Sequence, residues 1–167
     1  MGGKPDVSMA GNGILAGLVA ICSGIGELSA FGTVVTGFIA GILVVVSVLS
    51  IERMKIDDPV GAFSVHGVAG FWGLLATGLF STVSPVNGAE ESAGLFYGGG
   101  AGLFIDQLIG GVAIGLFVLA TAGVLFSVLK AAGMLRVSPE EETAGLDVSE
   151  HGSPGYGPDI LVSTGSI

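Results

Sequence analysis

From Phe31 to Ile51 the chain reads FGTVVTGFIAGILVVVSVLSI, an apolar run without a single charged residue. About 20 such residues are what a helix needs to cross a hydrocarbon layer, and the run is too long and too uniform for a strand. Residues 60–82 and 106–129 form two further runs of the same kind. Residues 9–24, MAGNGILAGLVAICSG, form a shorter fourth run that Asn12 interrupts. Only 11% of residues are charged, against about 25% in a soluble domain. The expected fold class is therefore all-α, a polytopic membrane helical bundle.

The basic residues orient the spans. Lys4 precedes the first run, Arg53 and Lys55 follow the second, and Lys130 and Arg136 follow the fourth. If all four cross, every basic residue lies on one side, while the opposite loops hold Glu27, Glu90 and Glu91. The positive-inside tendency then predicts both termini on the cytoplasmic side. The loop 81–102 is rich in turn signals, with Pro85, Asn87-Gly88 and a glycine run. Residues 1–136 read as the transmembrane region and 137–167 as an acidic cytoplasmic tail. A short helix is predicted after Ser138, with Pro139 at its first position and acids in its first turn. By composition such a tail is either a solubilising end or a contact surface.

Three runs carry glycines four apart: Gly13 with Gly17, Gly37 with Gly41, and Gly111 with Gly115. Each pair clears one helix face for a neighbour. The glycines do not complete a dinucleotide or phosphate-loop pattern. Cys22 is the only cysteine, which excludes an internal disulfide. It reads as a small side chain within the membrane.

His66 is the one titratable group between Val60 and Phe80. It lies about 10 Å beyond Pro59 along the axis, well inside a layer about 30 Å thick. A charged imidazolium is expensive there, so a neutral ring is expected, with one donor and one acceptor to satisfy. At regular helical spacing its face is shared by Ala62, Gly70, Gly73 and Thr77, all small. An ionisable residue on such a face marks a pathway or relay. Asp58 and Pro59 read as a helix start, the carboxylate as cap and the proline in the first turn. Asp57 and Asp58 also suit the positive end of the helix dipole. A metal site lacks ligands, a hydrolase would need a nucleophile better placed than Ser64, and haem would need a second ligand from elsewhere, since His151 is in the tail. No enzyme constellation, cofactor or metal is expected.

Three motifs in order resemble the ammonium transporter family (the Amt/MEP/Rh superfamily), Amt branch. KPDVSMAGNGILAGLVAI is similar to a family loop and helix, DDPVGAFSVHGVAG to its penultimate helix, and EEETAGLDVSEHG to its cytoplasmic tail. The resemblance implies a fold of about eleven membrane helices in two inverted halves, assembled as a homotrimer with one pore per subunit in the plasma membrane. This chain matches the last four helices, an incomplete second half. His66 then matches the second of two histidines lining a hydrophobic pore for ammonium or ammonia, and Asp58 an acidic residue holding the helix end. Glu140, Glu141, Gly145, Leu146, Asp147, His151 and Gly152 match the tail segment that docks on neighbouring subunits, near where PII-type regulatory proteins bind. The partner histidine, outer aromatic site and phenylalanine gate belong to a first half that this sequence does not include. With Met1 directly before a family loop, the chain is expected to be a truncated or split form, unstable or inactive alone because His66 lacks its partner. The reading from another class is a membrane-anchored regulatory or binding module acting through its tail.

Overall fold

The structure, a computed structural model, describes residues 5–82 and 93–155. Lys4, Glu90 and Glu91 of the orientation argument, and the turn signals Pro85, Asn87 and Gly88, lie outside the described residues. The fold is all-helical. Helix α1 spans Val7–Cys22, α2 spans Ala30–Arg53, and a π-helical stretch Phe63–Val68 runs directly into α3, Ala69–Phe80. A 3-10 turn at Leu95–Tyr97 precedes α4, Gly102–Ala131, and two short helices follow, α5 (Pro139–Ala144) and α6 (Leu146–His151). Three segments, α2, Phe63–Phe80 and α4, are long and apolar enough to cross a membrane. Helix α1, apolar but 16 residues long, measures about 24 Å at the standard rise. The chain is a multi-pass membrane protein. Its contacts divide it into residues 1–116 and residues 117–167, which are described separately.

In the first unit, side-chain caps set the helix starts. Asp6 accepts from the Met9 amide at 2.9 Å, and Ser29 from the Gly32 amide at 3.0 Å. Each fills a donor that the first helical turn leaves free. Helix α2 buries Gly32, Thr36, Ala40, Val44 and Val48, a stripe repeating every fourth residue. Against it lie Ala16 and Ala20 of α1, with Val65 and Ala69 from the third segment. The core thus consists of small residues, while large apolar side chains point outward: Phe31, Val34 and Phe38 are each 70% exposed. So much outward apolar surface requires lipid or other protein around it.

Small residues let the backbones meet. A Cβ on Gly17 would sit 3.8 Å from Gly37 Cα, which places the α1–α2 crossing there. One on Gly73 would collide with the carbonyl oxygen of Ala20, and one on Gly78 would fall 2.5 Å from Phe104 Cα. Of the glycines at four-residue spacing, Gly17, Gly37 and Gly111 have such neighbours, whereas Gly13, Gly41 and Gly115 face open space within this chain. Trp72 fastens α3 to α2 by donating its indole N–H to the Thr36 carbonyl at 3.0 Å.

The α1–α2 loop and the end of α3 are joined by polar contacts. The Thr82 amide and hydroxyl both donate to the Glu27 carbonyl, at 2.8 and 2.6 Å. The Ser81 carbonyl accepts from the Gly94 amide at 2.8 Å, and Ser29 Oγ lies 2.7 Å from the Tyr97 hydroxyl. Cys22 is exposed on this chain, its thiol donating to the Leu18 carbonyl.

Substitution Gly73→Ala drives a Cβ into backbone that cannot move aside, so thermal melting in detergent should report a loss of about 1–3 kcal/mol. Gly13→Ala, which meets nothing within 4 Å, should stay within about 1 kcal/mol of the parent.

Candidate functional site

The start of the third apolar segment is more elaborate than a capped α-helix. Asp58 to Gly61 form a turn, with the Gly61 amide donating to the Asp58 carbonyl at 2.9 Å. Gly61 sits at φ 68°, a left-handed conformation natural to glycine. Pro59 therefore lies in this turn, ahead of the helix, rather than at its first helical position. The Asp58 carboxylate reaches over the turn to accept from the Phe63 amide at 3.2 Å and the Ser64 amide at 3.4 Å. It caps the free donors from further back than the sequence spacing implies. Asn12 of α1 donates from Nδ2 to the Val60 carbonyl at 3.2 Å, which pins the same turn.

Beyond the turn comes the π-helical Phe63–Val68, where hydrogen bonds run from i to i+5. His66 lies inside it. The wide turn shifts the helical phase, and that changes which residues share its side. Phe63, His66 and Gly67 are exposed, with the Phe63 ring lying over Gly67: a Cβ there would be 3.0 Å from two ring carbons. Gly73 and Thr77, expected at regular spacing to share the His66 face, are instead buried, Gly73 against Ala20 and Thr77 bonded to Ser23 Oγ at 3.0 Å. Ser64 and Val65 form the buried side of the same stretch. Among the described residues, no side chain bonds to the His66 ring. The arrangement holds an imidazole outward, on a segment that is long and apolar enough to cross a membrane and whose opposite side is locked into the bundle.

The second unit carries the tail residues. Helix α5 starts with a capping box: the Glu141 amide donates to Ser138 Oγ, and the Glu141 carboxylate accepts from the Ser138 amide at 3.0 Å and hydroxyl at 2.8 Å. Those bonds, the backbone one first, hold the Glu141 carboxyl below its usual range. Glu140 is exposed in the same first turn, and Arg136 pairs with Glu142 at 3.1 Å across exposed surface. Where one short helix is expected there are two, because Gly145 at φ 94° ends α5 and opens α6. Leu146 begins α6, His151 ends it, and Gly152 closes it in the left-handed conformation. Asp147 Oδ2 accepts from the Gly155 amide at 2.7 Å, folding the following residues back onto α6. That bond, aided by nearby His151, lowers the Asp147 carboxyl below its ordinary value.

The sequence model described as the Ammonium Transporter Family matches residues 1–156. The chain belongs to the ammonium transporter family. It is similar to ammonium transporter Amt2 of Archaeoglobus fulgidus, 43% identical over 157 residues that make up 92% of this chain and 33% of the relative. It is also similar to ammonium transporter 1 member 3 of Solanum lycopersicum, 40% identical over 87% of this chain and 33% of the relative. Ammonium transporter Amt2 of Methanocaldococcus jannaschii is 37% identical over 95% of this chain and 36% of its own length. The chain thus spans about a third of the length of these ammonium transporters.

Sequence reasoning missed the π-helical register, the bond from Asn12 to Val60, and the bond that Ser47 Oγ of α2 donates to Ser64 Oγ at 2.9 Å. The only sequence signal for Asn12 was its polarity within an apolar run. Nothing in a linear spacing announces a bond between Ser47 and Ser64.

The tail supplies a pH prediction. Carboxylates with depressed folded values contribute stability that is fully present above their unfolded range, about pH 4, and lost as pH falls through the folded values. The protection of the Gly155 amide against exchange, taken relative to the intrinsic rate at each pH, should therefore be present near neutral pH and fall on acidification. Asp147→Asn should remove that acid step.

Proposed function

We propose that the chain forms part of the wall of a conduction path for ammonium or ammonia, with His66 lining the path. The supporting observation is the outward imidazole within an apolar segment, in a chain of this family whose relatives are named as ammonium transporters. An ammonium ion entering an oily passage loses hydration, and the charged form bears that cost far more heavily than ammonia. An imidazole offers a donor and an acceptor at one point, so it can orient the nitrogen and take or pass a proton. In a full-length transporter, the partner histidine of the family, from the first half, would lie opposite and meet the other ring nitrogen.

In this reading residues 1–136 are the membrane region and 137–167 the cytoplasmic tail. The N-terminus is cytoplasmic as well, the membrane is the plasma membrane, and the assembly is a homotrimer. Asp58 serves structurally, holding the start of the His66 segment. Glu140, Glu141, Gly145, Leu146, Asp147, His151 and Gly152 form the surface that meets neighbouring subunits or a PII-type protein. Its preformed turns at Gly145 and Gly152 lower the ordering cost of such docking.

His66→Ala, introduced into a full-length transporter carrying this segment, should lower methylammonium uptake per molecule about tenfold or more, or alter its charge selectivity. Unchanged rate, selectivity and current would remove His66 from the path. Deleting the tail from Val137 onward should abolish pull-down of a PII-type protein; retained binding would place that contact elsewhere.

A further inference from the structure

Helical serines and threonines at membrane depth usually satisfy their hydroxyls locally, by donating to the carbonyl four residues back. Ser50 does this to Val46 at 2.6 Å, Thr77 to Gly73 at 3.0 Å, Thr121 to Phe117 at 2.8 Å and Ser127 to Gly123 at 2.6 Å. Ser47 and Ser64 do not. Ser47 Oγ of α2 donates across to Ser64 Oγ at 2.9 Å, and Ser64 Oγ is 3.4 Å from Asp58 Oδ2, to which it donates. Ser64 is fully buried, so its hydroxyl has no solvent to turn to.

The position of this relay gives it a consequence. Ser64 is the second residue of the π-helical stretch, and its carbonyl accepts from the Ala69 amide in the wide i to i+5 pattern. His66 lies two residues further on. The C-terminal side of the stretch is fixed independently, by Gly73 against Ala20 and by the Trp72–Thr36 bond. A helix clamped at both ends keeps its extra residue; one released at Ser64 can relax to regular α-helical bonding. That relaxation moves the register by one residue, about 100° of rotation for whatever precedes the clamp.

We propose that the Ser47–Ser64 hydroxyl pair is a positioning device for His66. The inter-helix bond from α2 holds the π-helical register and thereby sets the direction in which the imidazole points. Ser47 and Ser64 are positioning residues; they act through the backbone and touch no substrate. The inference rests on the transport reading only for its functional consequence, since the geometric claim stands apart from it.

The test uses a full-length transporter carrying this segment, with Ser47→Ala and Ser47→Thr compared at equal amounts of assembled protein in the membrane. Ser47→Ala should cut maximal methylammonium uptake about tenfold and displace its pH profile, while Ser47→Thr, which keeps the hydroxyl, should stay within about twofold of the parent. Equal per-molecule uptake and pH profile for Ser47→Ala and the parent overturn the proposal. So does an equal loss in the two variants. A second readout does not depend on transport. With Cys22→Ser and His66→Cys in place, the rate at which a membrane-permeant maleimide labels the introduced thiol reports where position 66 points. Ser47→Ala should change that rate several-fold and Ser47→Thr should not; identical rates in all three backgrounds overturn the positioning claim. If His66→Ala leaves uptake intact while labelling still responds to Ser47→Ala, the transport reading falls and the positioning device stands.

Discussion

Inside a bilayer, an apolar side chain gains little by exchanging lipid for protein, so helices hold together where their backbones approach closely enough for dense packing. In residues 5–116 the approach is made by Gly17 with Gly37, by Gly73 with Ala20, and by Gly78 with Phe104. The buried stripe of α2 is correspondingly modest in size, from Gly32 to Val48. Everything else in this unit is built on that close contact. It fixes α3 against α1, and α3 in turn fixes one end of the stretch bearing His66. The large side chains turn the other way, toward whatever surrounds the bundle.

Close packing alone does not decide rotation, since smooth small-residue surfaces can slide. Directed hydrogen bonds supply the missing specification. Trp72 reaches the Thr36 carbonyl, Asn12 the Val60 carbonyl, and Ser47 the Ser64 hydroxyl. Each links two separate segments, and each closes a polar group that lipid could not satisfy. An unmade bond of this kind is costly at membrane depth, so the arrangement that makes all three is strongly selected over its neighbours in register. The combination explains how a segment can be both anchored on one side and irregular on the other.

The helices were legible because the apolar runs are long and their ends carry ordinary chemistry. The run read at 31–51 became Ala30–Arg53, and the start read at Ser138 is the observed N-cap of α5, with Pro139 at its first position and the acids in the first turn. His66 stood out for the same reason, as a titratable group in an apolar stretch. Its surroundings did not. The reading of a shared face with Gly73 and Thr77 assumed an unbroken period of 3.6 residues. A π-helical stretch breaks that period through contacts between residues distant in sequence, such as Ser47 with Ser64. Pro59 went astray on similar grounds. Local preference suits it to a first helical turn, but Gly61 in the left-handed region lets the chain turn first and enter the helix afterwards. The second tail helix was missed because Gly145 both ends one helix and starts the next.

The energetic position of His66 bears on function more directly than its identity does. An imidazole has two nitrogens with opposite hydrogen-bonding needs. The side of the segment on which it lies also carries Phe63 and Gly67, neither with a polar side-chain group to offer. Acyl chains offer no donor or acceptor either, so a ring directed at lipid would forgo both bonds. The fold instead turns Ser64 inward, where its hydroxyl meets Ser47 and Asp58, and leaves His66 exposed on this chain. The internal hydroxyl contacts go to serines, and the imidazole of the third apolar segment has no side-chain partner among the described residues. The conduction path proposed above, bearing a small hydrogen-bonding solute, would offer such a ring partners.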